Sequence, residues 1–456
     1  MKTVSQLQKE TAYKDQPDNA DIKHIPGKYG IPILGRGVSV FLNFPKVINE
    51  HAQKWGDVSR IQIGDQKGVL LLGADYIQEV LLDKGQNWSA EMGYEKTMRN
   101  FYDGGVLSFD FDEHKMQRRI LQTCFKNDAM RRYMIEVNQI MCEQLNQWDV
   151  TKPLEFYPEI KEILLRVGAK IFIGIDNNGA DYQKLNKAFM SIATGFNDTF
   201  KKEIPGTPFY KGKRGAQYLR EYFTSIIPER RNSDGTDMLT LMCKEKKEDG
   251  TLFSDIEISN HAAFILFGAH DTTTSVLNHL VYYSANDPDW QERLRAQSLK
   301  LQKTEVEFDD LSSLVDIENT FLECMRLHPP IPLLIRRSIK EVEFNGYRIP
   351  ANTPVMIPAI HNHYSNKYWS SPSNFDPDRF SNERAEQKSH PFAYLPFGGG
   401  AHKCIGMHFG FMLGKAFMHQ LLMKFDYGLP EDFEVKFQFV PLPKPAKLPL
   451  VLKKRC

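Results

Sequence analysis

The stretch from Ser254 to Asn286 constrains this chain more than any other. Ser254-Asp255-Ile256-Glu257 has the serine-to-glutamate spacing of a capping box, which marks a helix N-terminus. From there the residues stay compatible with a helix until Asn286-Asp287-Pro288, where the next helix begins. About 30 residues at 1.5 Å each make a rod of roughly 45 Å, enough to cross a whole domain. Its middle, HAAFILFGAHDTTTSVLNHLV, is apolar on most sides, which predicts burial. Asp271, Thr272, Thr273 and Thr274 interrupt that middle, and buried polar groups are costly without partners. Either they are satisfied locally or they face a wet cavity where they act.

The rest of the chain fits around such a rod. Helical spacing dominates from about residue 110 to 330. VSRIQIGDQKGVLLLG alternates and turns at Gly64-Asp65, a β-hairpin pattern, and a second β-like stretch from Ile335 to Pro358 turns at Asn345-Gly346. An apolar helix follows Cys404, and the proline-rich VPLPKPAKLPLVLKK reads as an edge strand. The expected fold is mainly α with a smaller β-rich portion, in a single large domain over residues 26–456. Residues 1–25 form a polar N-terminal leader without the apolar core of a signal peptide.

Charge and cysteine usage exclude several classes. The formal net charge is +1, so no global field favours nucleic acid or an anionic membrane. Cysteines at 124, 142, 243, 324, 404 and 456 include no CxxC pair, which leaves zinc ribbons and covalent haem attachment unsupported. Six scattered thiols in 456 residues suit a reducing compartment, so a cytoplasmic location is expected. No uninterrupted apolar stretch is long enough for a transmembrane anchor.

FGGGAHKCIG, from Phe397 to Gly406, sets one thiol before an apolar helix. A helix N-terminus stabilises nearby negative charge and favours thiolate. Gly398, Gly399 and Gly400 let the backbone fold closely against something flat or bulky. The loop is neither a Walker motif nor a dinucleotide fingerprint. A buried core cysteine, a nucleophile, a redox sensor and a metal ligand all remain open on this stretch alone.

Four motifs in order narrow the choice. Phe397-x-x-Gly400-x-His402-x-Cys404-x-Gly406 resembles the haem loop of the cytochrome P-450 family. Glu323-Cys324-Met325-Arg326 is similar to its ExxR motif, and Phe375-Asp376-Pro377-Asp378-Arg379-Phe380 to its second arginine motif. Gly268-Ala269-His270-Asp271-Thr272-Thr273 resembles the oxygen-binding stretch of the family's long helix, with Gly-Ala in place of the usual Ala-Gly. The resemblance runs from Pro26 onward. It implies the family's fold and a haem-thiolate monooxygenase using haem b (iron protoporphyrin IX).

The resemblance also implies roles. Cys404 would be the axial thiolate on iron, with Phe397, Gly398 and Gly406 around it. Thr272 would help protonate bound dioxygen, with Asp271 as the acid feeding it. His114 and Arg118, Arg336 and His402 would meet the haem propionates, although arginine is commoner at the last position. Glu323, Arg326 and Arg379 would form a buried ion triad positioning the cysteine loop. Gly268, Ala269, Leu333, Leu334 and Ile335 would wall an apolar substrate pocket, and residues 192–215 would form a mobile lid.

Its wording is closest to the retinoic-acid hydroxylase and sterol demethylase branch, so the expected substrate is a terpenoid, steroid-like or retinoid-like lipid. Electrons would come from a separate ferredoxin or flavodoxin type donor, met by a basic patch of Lys115, Arg119, Arg131, Arg132 and Lys403. Two alternatives stand beside this reading. One is a haem-thiolate peroxygenase or isomerase, and the other is a non-enzymatic haem-binding protein.

Overall fold

The computed structural model describes residues 21–455, except 33, 177–178, 199–200 and 440–441. Most of the proposed leader, residues 1–20, therefore lies outside the described residues.

Ser254 caps the long helix Asp255–Asn286, and both halves of its capping box are formed. The Ser254 hydroxyl accepts from the Glu257 N–H at 3.3 Å, and the Glu257 carboxylate accepts from the Ser254 N–H at 2.8 Å. Asp287 then caps the next helix, Pro288–Leu299. Several polar groups inside the long helix are satisfied by its own backbone. Thr274 Oγ1 donates to His270 O (2.9 Å), Asn278 Nδ2 to Thr274 O (2.7 Å) and Ser284 Oγ to Leu280 O (2.8 Å).

Around this rod pack the helices Phe111–Gln122, Asn127–Asn146, Phe156–Gly168, Ala180–Phe196, Pro208–Arg231, Val315–Leu327 and Met407–Lys424. Their apolar faces share one large core that runs from Phe101 to Leu452. A second core lies on a five-stranded sheet, with strands in the spatial order Val58–Ile63, Gln66–Leu71, Pro354–Ile357, Leu334–Ser338 and Trp88–Ser89. Both sequence-predicted hairpins form, Ile63 pairing with Gln66 and Phe344 with Tyr347. The mainly α, single-domain expectation holds.

The C-terminal tail corrects one expectation. Pro449–Lys454 is the middle strand of a three-stranded sheet, between Leu154–Glu155 and Phe425–Gly428, and not an edge. Its one proline stands first, so the later residues keep their N–H groups for both neighbours.

The loop before Met407–Lys424 joins the two cores. Phe392 and Leu395 belong to the sheet-centred core, whereas Phe397 and Ile405 pack against the helical one. Buried His363 pins the loop, accepting the Leu395 N–H at 2.9 Å.

Candidate functional site

Cys404 lies between the short turn Gly400–His402 and the helix Met407–Lys424. Its N–H donates to Phe397 O at 2.9 Å, which closes the loop. The Phe397 ring rests 5.5 Å from Phe411. By surface area Cys404 is exposed, yet burial pushes its thiol above its ordinary value, against the Gly406 N–H and the charges of Arg118 and Lys403. The exposed sulfur thus stands in surroundings that still resist its ionisation. The helix start alone does not make the thiolate here. A cation at the sulfur would displace the proton.

The three glycines serve different ends. Gly400 has φ +66°, and a Cβ there would collide with the Leu81 carbonyl. A Cβ on Gly399 would meet the Phe392 ring at 2.8 Å. Only Gly398 (φ +67°) keeps an open side, its nearest neighbour 3.9 Å from a Cβ. Two of the three are thus required for packing against the protein itself, a correction to reading all three as room for a flat group.

Near Cys404 gather the donors. His114 and Arg118 come from the helix Phe111–Gln122, Arg336 from the strand Leu334–Ser338 and His402 from the cysteine loop. The rings of His114 and His402 are 3.9 Å apart. Arg118 Nη2 donates to Lys403 O at 2.7 Å, and buried Arg336 donates to Ile335 O at 2.8 Å. Burial, then the charges of Arg118 and Arg336, lower His114 to about 4. Burial, then Arg336 and His114, lower His402 to about 2. Both are neutral imidazoles near pH 7, and neither His114 Nε2 nor His402 Nδ1 has a hydrogen-bond partner.

Asp110 is the carboxylate beside them, 3.8 Å from His402 Nε2, and sequence reasoning missed it. It already accepts from the Ser89 hydroxyl and from Ala90 N at 2.8 Å, and burial raises its carboxyl.

On the long helix, Thr272 Oγ1 donates to Gly268 O at 2.7 Å. Gly268 is exposed, with nothing within 4 Å of a Cβ position, so the middle of the helix borders open space. Ala269 turns elsewhere, onto a small apolar cavity with Leu164, Phe189, Phe409 and Leu413, which separates it from Gly268. Asp271 Oδ1 stands 3.0 Å from His270 Nδ1 and 3.5 Å from Lys161 Nζ. Burial would raise this carboxyl, but His270 and Lys161 together hold it below its ordinary value.

Leu333, Leu334 and Ile335 are half-buried. Gly93 lets a neighbouring helix approach them, since a Cβ there would lie 2.9 Å from Ile335 O. Aromatic rings absent from the sequence-based site form a cluster nearby. Tyr102 stacks on Phe267 at 4.3 Å, Phe196 lies 5.2 Å from Phe267, and Phe101 lies 5.5 Å from Phe209. Phe196 brings the 192–215 segment onto the long helix and Phe209 packs on Phe101, although residues 199–200 lie outside the described residues.

Glu323, Arg326 and Arg379 meet with no side-chain exposure at all. Arg326 grips Glu323 with two bonds of 2.7 Å, and Arg379 Nε adds a third at 3.1 Å. Glu386, which the motif did not include, takes Arg379 Nη1 at 2.8 Å. The basic patch is smaller than its sequence suggests. Arg119 faces Glu245 and Glu248, and Arg131 is bound to both oxygens of Asp309. Lys115, Arg132 and Lys403 are exposed.

Comparison with known proteins gives the same outline. The family model for cytochrome P-450 matches residues 25–450. A putative cytochrome P-450 136 of Mycobacterium tuberculosis is 30% identical over 448 residues, covering 97% of this chain and 91% of its own. A beta-amyrin 28-monooxygenase of Vitis vinifera is 26% identical, covering 92% and 90%. The solved structure of retinoic acid bound cyanobacterial CYP120A1 superposes with a TM-score of 0.85 at 23% identity, over 94% of this chain and 99% of that one. Sequence match and backbone agree along nearly the whole length, and this chain belongs to the cytochrome P-450 family of haem-binding oxidoreductases.

Proposed function

We propose that this chain is a haem-thiolate monooxygenase that hydroxylates a hydrophobic terpenoid, steroid-like or retinoid-like molecule. One observation carries the reading. Beside Cys404 stand His114 and His402, each with a buried ring nitrogen that has no partner among the described residues, in one cluster with Arg118 and Arg336. A planar group with two carboxylates and a thiolate-seeking cation answers all of these groups, and iron protoporphyrin IX is such a group. When bound, haem supplies the activation of dioxygen for insertion of one oxygen atom into a C–H bond.

The chain's own residues do the rest. Cys404 Sγ, once deprotonated, would hold the haem iron, and the loop closed by Phe397 O keeps it in place. His114, Arg118, Arg336 and His402 hold the propionates. Gly268 leaves room beside the long helix, while Thr272 offers a hydroxyl and Asp271 an acid one residue away. Glu323, Arg326 and Arg379 brace the loop from behind.

The aromatic cluster around Phe267, with the half-buried Leu333, Leu334 and Ile335, supports an apolar substrate. Beta-amyrin, the substrate named for the Vitis vinifera relative, agrees with a terpenoid class. Exposed Lys115, Arg132 and Lys403 suit an acidic ferredoxin or flavodoxin type donor. The described cysteines are all free, in keeping with work in the cytoplasm.

The test is the absorbance spectrum of reduced protein exposed to carbon monoxide. A strongly red-shifted Soret band, lost in Cys404→Ala, is expected. Well-folded protein that takes up no haem would overturn the reading.

A further inference from the structure

His270 is almost fully buried and touches two acceptors at once. Its Nε2 lies 3.1 Å from the carbonyl oxygen of Lys161, on the helix Phe156–Gly168. A carbonyl has no proton to give, so Nε2 must carry one. Its Nδ1 lies 3.0 Å from Asp271 Oδ1. Among the described residues neither atom has a well-aligned hydrogen bond, to the other or elsewhere, and the other polar neighbour of Oδ1 is Lys161 Nζ at 3.5 Å.

A bare Nδ1 facing a bare carboxylate would set two lone pairs against each other in a low-dielectric pocket. The contact therefore requires a second proton. Buried His363 shows the opposite arrangement, its Nε2 accepting from Leu395 N–H and its Nδ1 donating to Arg326 O, which is satisfied by one ring proton.

We propose that His270 and Asp271 hold one shared proton and that His270 is the positioning residue that fixes Asp271 beside Thr272. The inference rests on the distal roles proposed above for Asp271 and Thr272. Through its bond to the Lys161 carbonyl, His270 ties the Asp271 carboxyl to a neighbouring helix and not to a rotamer of its own. The groups facing the pair are few. Lys161 and Tyr157 come from the helix Phe156–Gly168, with Lys444 against the Tyr157 ring, and Tyr102 comes from the segment before Phe111. The edge of Phe189, 5.3 Å from the imidazole, closes the apolar side.

Nitrogen-15 NMR of histidine-labelled holoprotein tests this, in the diamagnetic reduced carbon monoxide form. The ring nitrogens are read through the carbon-bound ring protons. The expected result is one buried histidine with protons on both nitrogens across the neutral range, absent from His270→Gln. In Asp271→Asn, His270 should fall to a single ring proton. If His270→Gln does not accumulate, Asp271→Asn alone makes the assignment. A single ring proton on His270 in the parent protein, or two in Asp271→Asn, would overturn the inference. The Soret band of the same sample reports separately on the haem-thiolate reading, so either idea can fail without the other.

Discussion

The imidazoles of His114 and His402 lie face to face at 3.9 Å, tilted by 37°, although 288 residues separate them in the chain. Each keeps one buried nitrogen without a partner among the described residues, and burial, helped by the surrounding arginines, keeps both rings neutral. Neutral rings donate one hydrogen bond each, to an acceptor that the protein itself does not supply.

Truncating either ring should therefore loosen haem without unfolding the chain. Hydrogen bonds to a charged acceptor contribute about 1.5–3 kcal/mol, so His114→Ala or His402→Ala should speed haem loss roughly 10- to 100-fold. Transfer of haem to an excess of apomyoglobin measures the rate. Because the rings touch, the double variant should lose less than the product of the two single effects. Unchanged loss rates in both would remove the propionate assignment.

The Glu323 network makes a second prediction. Its two arginines are fully buried, with Arg326 over the Trp369 ring at 5.3 Å and bonded to the carbonyls of His363 and Pro372. Breaking such a pair leaves charge stranded, at a cost of about 3–5 kcal/mol. Glu323→Gln should lower the unfolding free energy obtained from urea titration by that amount and reduce the haem-to-protein ratio. Glu386→Gln, whose carboxylate keeps some exposure, should cost less. Equal losses in the two would mean that burial does not rank them.

How much of this was readable in the sequence depends on distance along the chain. Four residues at the start of the long helix announce its cap, and Asn345-Gly346 announces its hairpin, because those contacts are local. Asp110 beside His402 and Lys161 beside Asp271 carry no comparable signal, since the partners are 292 and 110 residues apart. Glu386 is only seven residues from Arg379, but the two lie on separate short turns, Pro377–Phe380 and Glu386–Lys388, and not on one helix. The tail misled for a different reason. Its prolines argue against a central strand as a group, yet Pro443 and Pro445 precede the strand and Pro449 opens it.

The glycine run offers a contrast between two neighbours. Both Gly398 and Gly400 have φ near the left-handed region, where a side chain costs about 1–2 kcal/mol. Only Gly400 also faces a backbone atom that cannot move aside, the Leu81 carbonyl at the end of the helix Ala74–Leu82. Gly400→Ala should therefore fold poorly or lose its haem, whereas Gly398→Ala should shift the melting temperature by only a few degrees. Thermal melts of both, followed by the Soret band, decide it. A milder Gly400→Ala would mean that the loop can lift away from that helix.

His363 gives the pH dependence a sign. Burial first, then the charge of Arg326, lowers its imidazole from 6.5 to about 3. The folded protein holds this ring neutral, with Nε2 taking the Leu395 N–H and Nδ1 giving to Arg326 O. Between pH 6.5 and about 3 the unfolded chain binds more protons at this site than the folded one. The contribution is thus complete above about pH 6.5 and is lost as pH falls toward 3. Buried His51 and His261, both lowered to about 4, add slope in the same direction. The denaturation midpoint should be flat on the alkaline side of neutrality and fall steadily in acid. His363→Gln, which preserves one donor and one acceptor but does not titrate, should make that fall shallower even if it lowers stability at neutral pH. An unchanged acid slope in that variant would assign the proton uptake to other groups.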